Sequence, residues 1–311
     1  MSLGVTMAEN VPSAHLRAVL QALLVTFLWS TSWVLIKIGL KDIPALTFAG
    51  LRYVLAFMCL LPLVLWSGQG RQRPYRMIQQ LSRPDWLRLI VLGLLFYSVT
   101  QGAQFLGLDR LPAVTASLLL SFTVIVIALL GIPLLSEHPT RLQWGGIGLY
   151  LVGVLVYFYP VSIPTRQIVG LIIVLIGVFA NSYSTVLGRD INRRATISPL
   201  IVTVISMGIG AVVMLAGGII AQGLPSLSLQ NWAIIAWLAV VNTAFAFTLW
   251  NHTQRTLTAV ETSIINNTML IQIAVLAWLF LDEDLSGREV FGLVLAGVGT
   301  LIVQVQRRRV T

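Results

Sequence analysis

The groups in this chain that could do chemistry are amides, hydroxyls and indoles set inside apolar runs. They are Trp29, Ser30, Thr31, Ser32 and Trp33; Tyr97, Thr100, Gln101 and Gln104; Ser117, Ser121 and Thr123; Asn181, Ser182 and Tyr183; Asn242 and Thr243; and Asn266, Asn267, Thr268 and Gln272. Such groups hold a molecule by hydrogen bonds and stacking, and none changes charge near neutral pH. Tyr97, Gln101 and Gln104 recur at i, i+4 and i+7, and Trp29 and Trp33 at i and i+4, so each set shares one face of a helix. Breaking a bond would require a base beside a nucleophile. The histidines His15, His138 and His252 and the acids Asp109, Glu137, Glu261, Asp282 and Glu289 all stand at the edges of the apolar runs. A hydrolase working inside those runs is therefore disfavoured, and the chain does not read as an enzyme. The lone Cys59 allows no intrachain disulfide and no thiolate cluster. No cofactor and no metal site is predicted.

The elements that must position these groups are membrane helices. With 57% hydrophobic and 10% charged residues the chain departs from soluble proteins, whose charged share is about 25%. Charge-free runs lie between Arg17 and Lys37, Arg88 and Asp109, Arg110 and Glu137, Arg141 and Arg166, Arg166 and Arg189, Glu261 and Asp282, and Glu289 and Arg307. Most are long enough to span, which takes roughly 17 to 25 residues. Residues 195–254 carry no charge and are divided at Gly223, Pro225 and Ser226, and residues 43–70 are interrupted only by Arg52. The pattern predicts an all-α integral membrane protein of ten transmembrane helices. The first run, with Trp29 and Trp33 inside it, reads as a retained helix rather than a signal peptide.

Sliding the sequence by 146 positions lays Trp86 on Trp232 and Leu155 on Leu301 without a gap. Leu111, Ala113, Val114 and Ser117 fall on Leu257, Ala259, Val260 and Ser263, Glu137 on Glu283, and Gly146 and Gly153 on Gly292 and Gly299. A repeat of five helices, an odd number, predicts two inverted copies, residues 17–160 and 166–306, between an N-terminal tail (1–16) and a basic tail (307–311). Placing both termini in the cytosol puts fourteen of the basic residues inside and five outside, with the acidic cluster Asp282, Glu283 and Asp284 also outside, as the positive-inside rule requires. The net charge of +9 then calls for no nucleic acid, and the run from Arg71 to Arg88 reads as a solvated inner loop. Helices 1, 3, 4, 6, 8 and 9 carry the polar midpoints and should line a cavity. Helices 2, 5, 7 and 10, whose middles hold Met58, Ser206 and glycines including Gly153, Gly208, Gly210, Gly297 and Gly299, should pack outside them. The predicted substrate-binding set is Trp29, Ser32, Trp33, Tyr97, Gln101, Gln104, Ser121, Asn181, Tyr183, Asn242, Asn266, Asn267 and Gln272, suited to a neutral or zwitterionic small molecule with an apolar part. Arg52 is expected to snorkel to the outer surface and pair with Asp109, while Glu137 and Glu283 cap or anchor loops. With no titratable group at a midpoint, uniport or exchange is expected rather than proton coupling.

Certain stretches carry a family likeness: Phe27-Leu28-Trp29-Ser30-Thr31-Ser32, Leu51-Arg52-Tyr53, Leu111-Pro112-Ala113-Val114-Thr115-Ala116-Ser117, and the glutamates Glu137 and Glu283, each followed by a Gly-rich helix. In this order they resemble the EamA branch of the drug/metabolite transporter superfamily, over about residues 17 to 306. The resemblance implies export of small metabolites, often amino acids, across a bacterial inner membrane through a cavity lined by helices 1, 3, 4, 6, 8 and 9. Drug or nucleobase export within the same superfamily is the alternative, and a channel is the alternative from another class. Nucleotide-sugar carriers should place Lys or Arg in the cavity to hold a diphosphate, and the cavity helices here read without one. Many members place proline in the middle of helices 4 and 9, where this chain has Val124 and Leu270.

Overall fold

The computed structural model describes residues 11–66, 78–135, 139–160, 164–193, 197–253, 256–257 and 259–305. The helices run α1 (Val11–Gly39), α2 (Ala45–Trp66), α3 (Arg83–Arg110), α4 (Ala113–Leu120, resumed at Thr123–Leu135), α5 (Arg141–Phe158), α6 (Thr165–Arg193), α7 (Pro199–Gln222), α8 (Leu229–Ala239, Val240–Phe245 and Ala246–Thr253 in one rod), α9 (Ala259–Leu281) and α10 (Gly287–Val305). Among the described residues there is no strand, and nine helices are long and apolar enough to cross a membrane. Local sequence sets their starts. Ser82 with Asp85 and Thr140 with Gln143 form reciprocal capping boxes at α3 and α5, and Ser198 precedes Pro199 at α7, where a missing amide hydrogen does no harm. Gly223, at φ 80°, ends α7 in a conformation that a side chain would strain. Leu16, Leu20, Leu24 and Phe27 on α1 and Ile172, Ile176 and Phe179 on α6 are exposed along single helix faces, the stripes that lipid covers.

Two tight pairs flank the rest: α2 on α7 and α5 on α10. Glycine makes both possible. A β-carbon on Gly146 would meet the Gly299 carbonyl and Ile302, and one on Gly153 would strike the backbone of Gly292 and Ala296. On the other flank, Gly50 faces the Leu215 backbone and Gly218 that of Leu46 and Thr47. Lipid provides no hydrophobic drive between helices, so this close backbone approach supplies the attraction. The remaining six pack on one another: α1 on α8 and α9, α3 on α6, and α4 on α6 and α9.

Among the described residues three helices depart from regular winding. In α3 the turns from Gly93 to Thr100 widen to π-helical spacing, so that the Gln101 amide donates to Phe96 O five residues back; in α8 the same happens over Val240–Phe245, with Ala246 donating to Val241 O. Shifted by 146 positions, the first segment brackets the second. Wide turns of this kind concentrate at functional sites. The third helix, α4, breaks at Ser121 and Phe122, where Phe122 N–H bonds to Leu119 O at 3.0 Å. No proline stands there. Ser117 and Ser121 instead bond their hydroxyls back to Val114 O and Ser117 O at 2.8 and 3.0 Å, a pattern that bends helices. At α9, where Leu270 stands, the helix is continuous.

Candidate functional site

The polar midpoints of α1, α8 and α9 meet. Asn242, fully buried in the wide turn of α8, points its Nδ2 at α1, donating to Leu28 O, to Thr31 Oγ1 at 3.1 Å and to Ser32 Oγ at 2.8 Å. Its Oδ1 has no partner. Gln272 ties α9 to the same helix, accepting from Ser30 Oγ at 2.9 Å and donating to Thr268 Oγ1 at 2.9 Å. Trp29 stands on α1 between their partners Leu28 and Ser30, its ring centroid 5.3 Å from Phe247 and 5.1 Å from Trp250 of α8. Its indole N–H is buried without an acceptor. Phe247 and Trp250 were missed from sequence because they lie one to two turns beyond the polar midpoint at Asn242 and Thr243; their i, i+3 spacing on that helix was the available signal. Trp33 is buried in the main apolar core.

On α3, Tyr97 and Gln101 meet α2. The Tyr53 hydroxyl donates to Gln101 Oε1 at 2.6 Å, and the Tyr53 and Tyr97 rings lie 5.7 Å apart, edge to face. Gln104 is half-buried. Across the bundle, Asn181 of α6 donates to Thr123 Oγ1 of α4 at 3.3 Å, two residues beyond Ser121. Asn267 is half-buried and Asn266 exposed. Tyr183 is not brought into this company: it is 46% exposed and continues the stripe of Ile172, Ile176 and Phe179 at i, i+4, i+7 and i+11.

Arg52 corrects the sequence reading. It does not snorkel but is 5% exposed, on the same α2 stripe as the buried Phe48, Ala49, Tyr53 and Ala56. Its Nε donates to Thr243 Oγ1 at 3.1 Å, and its guanidinium lies 5.2 Å from the Tyr53 ring centre. Asp109, its expected partner, pairs instead with Arg110 at 3.1 Å. The buried face of α2 is continuous through Arg52, so the side chain faces the other helices rather than lipid.

One rim of the six-helix group is clasped by charge. Lys37 at the end of α1 donates to Leu108 O and Leu111 O at 2.5 and 2.6 Å, and Glu283, after α9, accepts from Ala113 N–H and Val114 N–H at 2.7 and 3.2 Å. The carboxylate thus caps α4, satisfying amides that have no partner within the helix. Its repeat mate Glu137 and the side chain of Glu261 lie outside the described residues.

The sequence profile of the EamA-like transporter family matches twice, over residues 16–159 and 168–305. The chain belongs to that family. It carries two copies of the EamA-like unit in a multi-pass helical membrane protein. It is 23% identical over 275 residues to the S-adenosylmethionine/S-adenosylhomocysteine transporter of Chlamydia trachomatis serovar L2, covering 83% of this chain and 80% of that one. With the protein named "Probable amino-acid metabolite efflux pump" of Salmonella typhimurium it shares 26% over 302 residues, 90% of this chain and 92% of the other. One solved crystal structure superposes with a TM-score of 0.67 at 18% identity over 94% of this chain and 99% of that one, a likeness of fold alone.

Proposed function

We propose that this EamA-like protein is a secondary transporter that exports small neutral or zwitterionic metabolites, amino-acid-like or aromatic, by alternating access. The reading takes it as ten transmembrane helices in two inverted repeats, with both termini cytosolic in a bacterial inner membrane. Support for the inversion comes from the flanking pair. The Gly146–Gly299 and Gly153–Gly292 contacts exchange under the shift of 146, as a two-fold axis demands. The wide turns of α3 and α8 obey the same shift.

The observation that carries the transport reading is the pair of buried polar atoms left without partners, the Trp29 indole N–H and Asn242 Oδ1, on helices that otherwise bond to each other closely. A buried donor and acceptor left unmet are costly in the resting protein, and a substrate that met them once alternating access opened the α1–α8 contact would recover that cost. The names of the two relatives above, one an amino-acid metabolite pump and one a carrier of S-adenosyl amino acids, are consistent with such a cargo. The test is counterflow in proteoliposomes with a panel of amino acids and aromatic amines. Saturable exchange that falls on the order of tenfold in Trp29→Ala and Gln101→Ala, equivalent to about 1.4 kcal/mol of lost contact, is expected. Unchanged flux in both variants overturns the site, and non-saturable flux overturns the carrier in favour of a channel. An imposed pH gradient should leave the final distribution unchanged, because no described midpoint side chain can relay a proton; uphill accumulation driven by protons would refute uniport or exchange.

A further inference from the structure

Arg52 is a permanent charge placed where lipid and protein surround it. It sits roughly 10 Å along α2 from Ala45, inside the hydrocarbon depth. Arg52 has no ion pair among the described residues, and Asp109, its expected partner, bonds to Arg110. Glu283 is committed to the α4 amides and Glu289 to Ser286. Thr243 offers one neutral acceptor and Tyr53 the face of a ring. The guanidinium has five N–H donors, and only the one on Nε is bonded. Yet the Nη atoms are not sealed: the buried side-chain nitrogens and oxygens closed off without a partner are Trp29 Nε1 and Asn242 Oδ1, so the Arg52 tips keep contact with open space.

Two more donors stand at the same ring. The Gln101 amide uses its oxygen to accept from Tyr53, leaving its NH2 without an acceptor among the described residues, and the Tyr97 hydroxyl, on a side chain 5% exposed, has none either. Neither is a sealed atom. Arg52, Gln101 and Tyr97 thus surround Tyr53 at 5.2 Å from its ring centre, 2.6 Å from its hydroxyl and 5.7 Å between rings. Three kinds of uncommitted donor and an unneutralised charge form an incomplete site whose missing part is an oxyanion. A planar guanidinium binds a carboxylate by two parallel bonds, and an anion in this low-dielectric setting removes the cost of the isolated charge.

We propose that Arg52, Tyr97 and Gln101, gathered around Tyr53, bind a carboxylate group of the transported molecule. This rests on the transport reading above, narrows its amino-acid-like substrates to those with a free carboxylate, and extends them to anionic aromatic acids. It also reverses the sequence expectation that the cavity holds no fixed cation.

The experiment compares acids with their amides. Binding of L-methionine and L-methioninamide, and of phenylacetate and phenylacetamide, is measured by calorimetry on the full chain in lipid nanodiscs. The acids should bind at least about tenfold more tightly than the amides, as expected of a hydrogen bond to a charged group, and Arg52→Gln should bring that ratio to about one. Equal binding of acid and amide by the parent protein, or a ratio preserved in Arg52→Gln, overturns the proposal. So does equal stabilisation by chloride and by the acids, which would make Arg52 the holder of a simple counterion. If Arg52→Gln does not fold, Tyr97→Phe and Gln101→Leu each remove one donor and should lower the ratio; no change in either sinks the site. Amides bound and exchanged as well as acids would leave the transporter standing and remove only its carboxylate preference.

Discussion

The wide turns of α3 and α8 occupy one register of the repeat but carry different chemistry. At Phe96, Tyr97, Gln101 and Gln104 of α3 the shift of 146 reads Asn242, Thr243, Phe247 and Trp250 in α8. The backbone feature is shared down to a hydroxyl bonded five residues back, Thr100 to Leu95 O at 2.9 Å and Thr243 to Leu238 O at 2.8 Å. The side chains have traded places: a buried amide stands opposite a phenylalanine, and two glutamines opposite two aromatics. Backbone geometry is therefore common to the two halves, while the side chains proposed to meet a substrate differ between them. On that proposal the site is asymmetric although its frame is not, with polar contacts for one end of a molecule and rings for the other.

The largest break in that comparison should come at the start of the turns. Gly93 lies so close to α7 that a β-carbon would stand 2.5 Å from the Ser206 carbonyl oxygen, whereas its mate in α8 is Ala239, which already has one. Gly93→Ala must shift backbone against backbone and should destabilise by about 3 kcal/mol or prevent folding, while Ala239→Gly should cost about 1 kcal/mol. Thermal unfolding of the two variants in one detergent compares them, and equal effects would show that α7 does not hold the α3 turn.

Next comes the exchanged amide. Asn242→Leu removes three bonds to α1 and gives α8 the apolar character of Phe96. Bonds between membrane helices average about 0.6 kcal/mol, so a loss of roughly 2 kcal/mol is expected, together with lost substrate binding. Stability lost with binding intact would assign Asn242 to helix pairing alone.

Much of this frame was legible in the sequence. Apolar runs marked the spans, the gapless register marked the repeat, and glycines at helix middles marked the close pairs, because small residues at a membrane interface have few other uses. Glu283 could be read as a cap from its place beside a helix end. The wide turns could not be read, since a π-helical turn leaves hydrophobicity unchanged and depends on which carbonyl each amide reaches. Arg52 was misread for a related reason: its depth was clear, but the direction it faces follows from the buried stripe of Phe48, Ala49 and Ala56, apolar residues that look alike whether they meet lipid or protein. Tyr183, expected in the binding set, lies on the exposed stripe of Ile172, Ile176 and Phe179, a spacing that was already visible in the sequence.

The smallest expected effect separates the turns most finely. Thr100→Val and Thr243→Val each delete a hydroxyl that bonds to a carbonyl five residues back, and each leaves a side chain of nearly the same shape, so that term should cancel between them. Only Thr243 also accepts from a charged donor, the Arg52 Nε at 3.1 Å. Thr100→Val should therefore cost about 0.6 kcal/mol, in line with other polar bonds between groups in membrane proteins. Thr243→Val should cost about 1 kcal/mol or more beyond that, because it strips a buried guanidinium of its one hydrogen bond. The double variants Arg52→Gln with Thr243→Val and Arg52→Gln with Thr100→Val complete the comparison. Coupling is expected in the first, whose partners touch, and additivity in the second. Equal costs for the two threonines, with no coupling to Arg52, would show that Thr243 only shapes the turn and that the guanidinium is held by the Tyr53 ring and by whatever anion reaches it.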